Sequence, residues 1–581
     1  MKTTYFIGLS VTYHDPAIAI VDASRNILFA EASERYLQLK RALNCEPDSL
    51  YRIVDLLQDY CPAADCFHIA FNWLRNRPFY EHFCSVTKYF TPRGLMRPRF
   101  ATRSTFFEKY KLFHMLACQT HALSRAGINI ARMVREAFPS VDLRFHHFDH
   151  HLSHAAFACY ASPFAEADCV VVDSYGERGS LAFYRYRDGR LRLYRQAAGI
   201  ESLGFYYMKL TELCGFDWMK GEEWKVMGLA SYGSFNDEIY KLLRPMIEVQ
   251  HLGLKQHLPE LRRGMEILER QFRDCRPMEA ADLAYTGQYF FAELMLKLLE
   301  NFRSLGSSEN LVLCGGCALN SSANGQILER SGYCRLYIPP APADDGTAAG
   351  AAVLACDRIC GDRRKSNQKP MTAYLGSTAS EHCLQRLVRF CGGLEIRHLP
   401  GDLAQETAKL LAEGRLVGWM QGRAEFGPRA LGNRSILADP RRAEMKQKIN
   451  STVKFREEFR PFAPSILHEF GEQYFENYVE TPYMERALRF RAEARDRVPA
   501  VVHVDRTGRL QTVKREWNAS FHDLLQAFHR ITDVPVLLNT SFNVMGKPII
   551  HTVEDALGVF LTTGLDTLVI GDYLLSKPTK P

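Results

Sequence analysis

The chain has 581 residues, of which 46% are hydrophobic and 24% are charged, so its composition is that of a folded globular protein and excludes dominant disorder. No apolar run reaches the roughly 18 residues needed to cross a bilayer, and the segment before Asp15 lacks the apolar stretch of a signal peptide. Sixteen cysteines are too few for a disulfide framework in a chain of this length. These features predict a soluble cytoplasmic protein with no membrane partner and about three to four compact units.

The basic residues are concentrated in one segment. Lysine and arginine exceed aspartate and glutamate by 73 − 66 = 7 over the whole chain, a mild excess that does not favour nucleic acid as a partner. Between Arg423 and Arg460, however, ten basic residues stand against five acidic ones. This window is typical of a local anion site, although a basic surface facing solvent would explain it equally well.

Two segments repeat one pattern of strand, acidic turn, strand, turn and strand. The predicted strands are 5–11, 17–21 and 27–31 in the first segment and 169–172, 181–186 and 191–195 in the second. Such repetition predicts a duplicated α/β domain with its ligand cleft between the halves, the internal symmetry of actin-like and sugar-kinase-like folds. Further strands are predicted at 311–313 and 336–338, and a helix at 347–356.

A polar segment, 361–371, is the best candidate for a linker because it is rich in basic and small polar residues. It predicts a domain boundary, with one domain over residues 1–365 and a second α/β domain over 372–581.

Five histidines lie between His146 and His154. On a helix, His150 and His154 are one turn apart and share a face, which is the spacing by which two imidazoles bind one metal ion. Asp344, before an alanine-rich helix, is a suitable third ligand. Structural histidines and a helix N-cap at Asp344 explain the same residues without a metal.

Two further patterns lie in the second domain. Lys454 and Arg456 alternate, so on an extended strand both cations would point to the same side and clamp a phosphate or carboxylate. An apolar strand from 536 ends in Asn539, Ser541 and Asn543, whose amides and hydroxyl suit a polar small molecule, although turn chemistry would also account for them.

Six motifs together resemble the NodU/CmcH-type O-carbamoyltransferases. In chain order they are His150-His-Leu-Ser-His154-Ala-Ala, Glu223-Trp-Lys225-Val-Met-Gly-Leu-Ala230, Gly315-Gly-Cys-Ala-Leu-Asn320, Gly427-Pro-Arg-Ala-Leu-Gly-Asn-Arg-Ser435, Phe459-Arg-Pro-Phe-Ala-Pro464 and Asn539-Thr-Ser-Phe-Asn543. The resemblance covers nearly the whole chain. It implies a duplicated actin-like N-terminal domain with a metal site, similar to the tRNA threonylcarbamoyl-transferase, followed by a YrdC-like C-terminal α/β domain.

The resemblance also implies a reaction. Family members use ATP, with Mg²⁺, and carbamoyl phosphate to form carbamoyl-adenylate, and then transfer the carbamoyl group to a hydroxyl of a small natural product, as in antibiotic biosynthesis and other secondary metabolism. The implied partners are ATP, carbamoyl phosphate and a hydroxylated small-molecule acceptor. The implied cofactor is a divalent metal, with Fe²⁺ as the first choice and Mn²⁺ or Zn²⁺ as alternatives.

Roles follow for individual residues. The metal ligands would be His150, His154 and Asp344, with Asp173 and Glu177 contacting the acceptor or a magnesium-bound phosphate. The catalytic residues would be Lys454 and Arg456 in the adenylating step and His14 or His151 as base for the hydroxyl. The nucleotide-binding residues would be Lys225, Gly315, Gly316, Asn320, Arg429, Arg434, Arg509, Asn539, Ser541 and Asn543.

Two other functions remain open at this stage. One is carbamoyl or threonylcarbamoyl transfer to a macromolecule such as tRNA, and the other is a non-catalytic nucleotide-binding protein. The sequence does not identify the acceptor, and it leaves a homodimer open. Residues 71–107, in which Arg93, Arg97, Arg99 and Arg103 stand among aromatic residues, match no motif and are either an acceptor-binding insertion or a solvated loop.

Overall fold

The computed structural model describes residues 2–74, 106, 109–306, 308–361 and 371–578. Most of the unmatched segment 71–107 and of the predicted linker 361–371 lies outside these residues. The chain divides into two compact units: the first unit comprises Met1–Ser33 and Arg41–Met371, and the second comprises Glu34–Lys40 and Thr372–Pro581. The expectation of three to four units is wrong because both halves of the repeated domain pack into a single unit.

The first unit contains two five-stranded sheets and a hairpin. Its strands, in chain order, are β1 (Thr4–Ser10), β2 (Ala17–Asp22), β3 (Ile27–Ala32), β4 (Cys66–Phe71), β5 (Asp142–His147), β6 (Glu166–Val172), β7 (Leu181–Arg187), β8 (Arg190–Ala197), β9 (Ile247–Gln250), β10 (Gly253–Gln256), β11 (Asn310–Cys314) and β12 (Arg335–Tyr337). Strands β9 and β10 form the hairpin.

The two five-stranded sheets have the same topology. Their strand orders are β3-β2-β1-β4-β5 and β8-β7-β6-β11-β12. In each sheet the first three strands form an antiparallel meander and the last two run parallel to the central strand. Ile7 of β1 stands opposite Ile20 and Ile69, as Val170 of β6 stands opposite Phe183 and Leu313. The predicted duplication and its strands are therefore confirmed.

Helices connect and cover these sheets. The helices assigned to this unit are Leu50–Tyr60, Lys109–Arg125, Ile128–Ala137, His150–Ala161, Leu203–Leu213, Glu223–Ala230, Asp237–Leu243, Leu258–Phe272, Ala281–Arg303, Ser321–Asn324, Ile327–Arg330 and Gly346–Cys360, and Ser33–Leu37 runs from it into the second unit. Within the described ranges, no helix is both long and apolar enough to span a membrane.

Close packing of helix Gly346–Cys360 joins the two halves of the first unit. A Cβ on Gly8 of β1 would lie 1.8 Å from the carbonyl oxygen of Ala348, and a Cβ on Gly350 would lie 1.9 Å from that of Ser153. Only glycine permits such backbone approach. The helix is thereby held against both β1 and helix His150–Ala161, and Asp344, just before its start, is brought to the predicted histidines.

The second unit is built on one mixed eight-stranded sheet. Its strands are β13 (Glu395–His398), β14 (Val417–Met420), β15 (Arg434–Ala438), β16 (Ala463–Leu467), β17 (Ala487–Arg489), β18 (Thr507–Arg509), β19 (Gln511–Val513), β20 (Val536–Ser541), β21 (Thr567–Ile570) and β22 (Tyr573–Ser576). The order in the large sheet is β13-β22-β21-β14-β15-β20-β16-β19, and β17 pairs with β18. Its helices are Glu381–Phe390, Leu403–Ala412, Met445–Ile449, Gly471–Tyr474, Ala492–Arg495, Ala519–Thr532 and Val553–Thr562.

A buried carboxyl gives the first unit a testable pH dependence. Asp48 is fully buried and accepts a hydrogen bond from the Ile130 amide at 2.8 Å. Burial raises its pKa to about 6, against an ordinary value of 3.8. Because the folded state binds this proton more tightly, the stabilisation is complete below the ordinary pKa and is lost as pH rises from about 4 to about 6.

We therefore expect Asp48→Asn to stabilise the protein increasingly as pH rises. The amide oxygen keeps the bond to Ile130 without a charge, so the advantage should be small at pH 4 and approach roughly 3 kcal/mol above pH 7. Melting temperatures of both proteins across this pH range measure the effect. A difference that does not change with pH would contradict it.

Candidate functional site

Two histidines share one face at the start of helix His150–Ala161. The helix begins after Asp149, whose carboxylate accepts a hydrogen bond from the Leu152 amide at 3.0 Å. His150 and His154 lie one turn apart, as predicted, and their Nε2 atoms are separated by 3.2 Å. Both side chains are buried. Two imidazole nitrogens therefore meet where bulk water has no access.

Two carboxylates complete this group. Asp173 follows β6, and its Oδ2 lies 3.2 Å from His150 Nε2. Asp344 precedes helix Gly346–Cys360, and its Oδ1 lies 3.4 Å from His154 Nε2. One potential ligand atom from each of the four residues lies within 4.8 Å of the other three. We refer to these four residues as the His–Asp cluster.

Opposite charges stabilise each other inside the cluster. Burial alone would lower the pKa of His150, but Asp344 and Asp173 outweigh it and raise this pKa well above the usual range. Burial alone would raise the pKa of Asp344, but His150 and His154 hold it well below the usual range. Desolvated carboxylates are costly unless they are paired or bound to a metal, so this environment strongly favours a cation.

The cluster has the chemistry and spacing of a divalent metal site. Ligand atoms that bind one ion at about 2.1 Å lie roughly 3.0 to 3.4 Å apart. The separations of the His150 and His154 nitrogens from each other and from the nearest aspartate oxygens are 3.2 to 3.5 Å. Imidazole and carboxylate donors together suit iron, manganese or zinc, and two carboxylates balance a divalent charge.

The structure thus places Asp173 beside the three predicted metal ligands, whereas the sequence assigned it to the acceptor or a magnesium-bound phosphate. It is the first residue of the acidic turn in the second repeat. That turn was visible in the sequence, but its approach to His150 depends on how β6 and helix His150–Ala161 pack.

The two candidate bases occupy different surroundings. His14 Nδ1 lies 2.9 Å from Asp15 and 3.6 Å from Asp344, and its ring lines a pocket. His151 is fully buried, burial and the neighbouring His150 lower its pKa to about 4, and its Nε2 has no hydrogen-bond partner in the described structure. The geometry therefore favours His14 as the group that meets a ligand.

Glu177 contacts backbone amides at the start of the histidine helix. Its two carboxylate oxygens accept from the His150 amide at 3.1 and 3.0 Å, and Oε1 also accepts from the Leu74 amide at 3.2 Å. Burial, with a contribution from Asp149, raises its pKa to about 8. These contacts fix the helix start that carries His150, and they differ from the acceptor contact that the sequence suggested.

The glycine-rich motif after β11 holds Asp173 in place. The Gly316 amide donates to Asp173 Oδ1 at 3.1 Å, and Gly315 has a φ of 91° where a Cβ would lie 2.3 Å from the Val172 carbonyl oxygen. Asn320 exchanges hydrogen bonds with Gln288 at 3.0 and 2.9 Å.

Lys225, a predicted nucleotide-binding residue, is largely buried. Its ammonium lies 2.5 Å from Glu222 and 5.1 Å from the centre of the Phe216 ring. The positive charge of Lys225 is therefore paired with groups of the protein itself.

In the second unit, Lys454 lies among acceptors from β20 and the following turn. Its ammonium donates to Ser541 Oγ at 3.2 Å and to Asn543 Oδ1 at 2.7 Å. The predicted extended strand is wrong here, because Asn450–Lys454 is a π-helical turn and Phe455 has a left-handed φ of 48°. The change of direction at Phe455, and not strand alternation, sets where the two flanking cations point.

Neighbouring arginines act electrostatically on this lysine and on one another. Burial, with the neighbouring Arg456 and Arg460, depresses the pKa of Lys454 well below its usual range. Burial and Arg460 lower the pKa of Arg456 to about 9, and burial lowers that of Arg429 to about 10. Burial, Arg429 and Arg456 together depress the pKa of Arg509. We refer to Arg429, Lys454, Arg456 and Arg509 as the cationic cluster.

Two other predicted nucleotide-binding residues of this unit hold protein groups. The Arg434 guanidinium is buried and donates to the backbone carbonyls of Gln421, Asn433, Ser377 and Gly422. The Asn539 amide nitrogen donates to Gln511 at 2.9 Å and to Ser465 at 3.1 Å. These contacts indicate that Arg434 and Asn539 support the structure of the site.

A buried acid that the sequence did not single out organises the same loop. Glu425 Oε1 accepts hydrogen bonds from the amides of Leu431 at 2.7 Å, Asn433 at 2.8 Å and Arg434 at 3.1 Å. The signal for this role in the sequence was that Glu425 stands as a single acid within a segment rich in glycine and arginine. Its carboxylate fixes the backbone just after Arg429.

The two units have a mixed α/β fold with a possible metal site in the first and a cationic cluster in the second, and comparisons with known proteins identify the family. Residues 113–353 match the family model described as carbamoyltransferase N-terminus, and residues 408–577 match that described as carbamoyltransferase C-terminus. The chain belongs to the carbamoyltransferase family.

The chain is also similar to individual proteins. The nodulation protein NolNO of Sinorhizobium fredii (strain NBRC 101917 / NGR234) is 36% identical over 74% of this chain, and the match covers 64% of its length, less than two thirds. An uncharacterized protein of Synechocystis sp. (strain ATCC 27184 / PCC 6803 / Kazusa) is 31% identical over 100% of this chain and 97% of its own. Full-length HypF in a phosphate- and nucleotide-bound form shares 10% identity over 62% of this chain and 56% of its own, with a TM-score of 0.35, too low to carry an argument.

The His–Asp cluster predicts a metal-binding defect that can be measured without an activity assay. We expect His154→Ala to bind Mn²⁺ or Fe²⁺ at least about tenfold more weakly than the unaltered chain, because it removes one of four donors. Metal retained after dialysis, measured by mass spectrometry, reports this change. Asp345→Asn is the matched control, since Asp345 adjoins Asp344 but accepts from the Gly346 amide at 3.0 Å. Equal metal retention by both variants would contradict the site.

Proposed function

We propose that the chain is an ATP-dependent O-carbamoyltransferase that acts on a hydroxylated small molecule. The second unit converts carbamoyl phosphate to carbamoyl-adenylate, and the first unit transfers the carbamoyl group to the acceptor. The products are a carbamate ester, AMP, pyrophosphate and phosphate. Family membership supports carbamoyl transfer, and the two clusters support this division of the chemistry.

The observation that carries the proposal is the cationic cluster of the second unit. Among the described residues, no ion pair joins Arg429, Lys454, Arg456 or Arg509 to a carboxylate, and burial together with repulsion from neighbouring arginines lowers the pKa of several members. Lys454 is buried and the three arginines are partly buried, and cations withdrawn from water without counter-charges favour anionic ligands. ATP and carbamoyl phosphate are both polyanions, and guanidinium groups bind their phosphates in bidentate geometry.

The adenylating step has two parts. Carbamoyl phosphate loses its phosphate to water and gives carbamate. A carbamate oxygen then bonds to the α-phosphorus of ATP while the bond from that phosphorus to the leaving pyrophosphate breaks. Lys454 and Arg456 stabilise the negative charge that develops on the phosphate oxygens, and Mg²⁺ accompanies ATP.

The transfer step belongs to the first unit. The acceptor hydroxyl attacks the carbamoyl carbon, its proton passes to His14, and AMP leaves. The residues of the His–Asp cluster would hold a divalent metal, which supplies Lewis-acid polarisation when bound. Glu177 and Gly316 keep His150 and Asp173 in position through the hydrogen bonds described above.

We also propose the finer fold assignments. The repeated sheet topology of the first unit supports an actin-like domain over residues 1–365. The mixed sheet of the second unit, with Lys454 beside Ser541 and Asn543, supports a YrdC-like domain over 372–581. The mild charge of the chain and the pocket near His14 support a small acceptor over tRNA.

The two half-reactions should be separable by mutation. We expect Lys454→Ala to abolish pyrophosphate release from ATP and carbamoyl phosphate, because it removes the buried ammonium. We expect His154→Ala to retain this release and to lose carbamoyl transfer at least about 100-fold. A coupled pyrophosphate assay and mass spectrometry of a panel of polyhydroxylated metabolites measure the two steps.

Lys448→Ala is the control for the first variant, since Lys448 lies on the same stretch but contacts Asp566 at 3.4 Å outside the cationic cluster. If both site variants fail at the same step, the proposed division of labour is wrong. Tight, salt-sensitive tRNA binding would instead favour a macromolecular acceptor.

A further inference from the structure

A pocket in the first unit opens beside the His–Asp cluster. It has a volume of about 610 Å³, including the space at its mouth, and Asp344 and His14 stand at its polar end. The Trp73 ring lies 4.9 Å from the ring of His150, so the pocket wall continues directly from the cluster. A pocket lined mainly by apolar side chains with a few polar groups at one end is the usual form of a small-molecule site.

The walls beyond the polar end are apolar and aromatic. Met115 and Leu116 of helix Lys109–Arg125 and Phe205 and Met208 of helix Leu203–Leu213 line them, together with Ile200. The Tyr175 ring, also in the wall, is stacked on that of Phe205 at 6.2 Å with an interplanar angle of 11°. A flat or ring-bearing apolar group would bury its surface against these side chains.

The described lining of the pocket carries charge only at its polar end. Among its described lining residues, Asp344 and His14 are the only ionisable acid or base besides tyrosine phenols. The Gln119 amide, which also lines the pocket, donates to the Val11 carbonyl and accepts from the Tyr13 amide, each at 3.0 Å. An ammonium or phosphate group lying along these walls would therefore lose water without gaining a counter-charge.

We infer that the acceptor carries its hydroxyl on an uncharged, predominantly apolar, ring-bearing body, which lies along the Phe205 and Met208 wall while the hydroxyl meets His14. This inference rests on the proposed function and deepens it, because it names the chemical class of the acceptor. It predicts that polycationic sugars and highly charged metabolites are poor acceptors.

Three simple alcohols test this inference on the full chain with ATP, Mg²⁺ and carbamoyl phosphate. The probes are 3-phenylpropan-1-ol, 3-aminopropan-1-ol and glycerol, which present a similar primary hydroxyl on apolar, cationic and polar bodies. We expect kcat/KM for the phenyl alcohol to exceed that for the amino alcohol by about 100-fold. Mass spectrometry of the carbamate product measures each rate, and pyrophosphate release is followed in parallel.

A charge placed in the wall should reverse this preference. We expect Met208→Glu to lower kcat/KM for the phenyl alcohol at least about tenfold, to raise it for the amino alcohol and to leave pyrophosphate release unchanged. Met278→Glu makes the same substitution at an exposed position and should change nothing. Leu116→Glu, on the opposite helix, repeats the test if the first variant does not fold.

The outcomes separate the two proposals. Absence of both pyrophosphate and carbamate with every alcohol would overturn the proposed function. Pyrophosphate release together with equal or better carbamoylation of glycerol or the amino alcohol, or with no carbamate on the phenyl alcohol at saturation, would overturn the inference alone. A Met208→Glu effect on the KM for ATP instead of the acceptor would assign the wall to the nucleotide and also overturn it.

Discussion

The structure of the first unit depends on keeping two carboxylates and two imidazoles together in a largely buried position. Charge buried in this way is costly unless each group is paired, and the short distances from Asp173 and Asp344 to the histidine nitrogens show how the protein meets this cost. The cluster in turn requires close packing around it, which the glycines facing Ala348 and Ser153 permit. A divalent cation would complete the charge balance that the four side chains begin.

The second unit has the opposite electrostatic problem. Its cationic cluster brings positive charges together so closely that burial and mutual repulsion lower the pKa of Lys454 and its arginine neighbours. Although Arg434 and Glu425 are charged, their side chains form hydrogen bonds with the loop backbone. They therefore hold in place the loop that supports these cations. One unit is therefore prepared for a cation and the other for an anion, which is the pairing needed to activate a small acyl group with a nucleotide and then to polarise it.

Local patterns in the sequence predicted those features of the structure that depend on interactions between residues close together in the chain. The repeated strands, the helical spacing of His150 and His154 and the position of Asp344 before a helix follow from periodicity and turn chemistry, and the structure agrees with them. Contacts between distant segments were less accessible. The approach of Asp173 to His150 depends on the packing of β6, and the π-helical turn before Phe455 has no signal in side-chain alternation. Arg434 looked like a ligand residue because its motif is basic, whereas its hydrogen bonds go to carbonyl groups.

The pocket proposed for the acceptor was the part of the site least visible in the sequence, for a physical reason. Metal ligands and phosphate-binding cations are polar residues in unusual spacing, so they stand out against a background of core and surface. Met115, Phe205 and Met208 have the residue types of an ordinary core, and only the empty space beside them distinguishes a binding wall from packed interior. Polar motifs in a sequence can therefore predict the class of reaction. The choice of substrate depends on apolar surfaces, whose role is evident only from the cavity that they enclose in the folded protein.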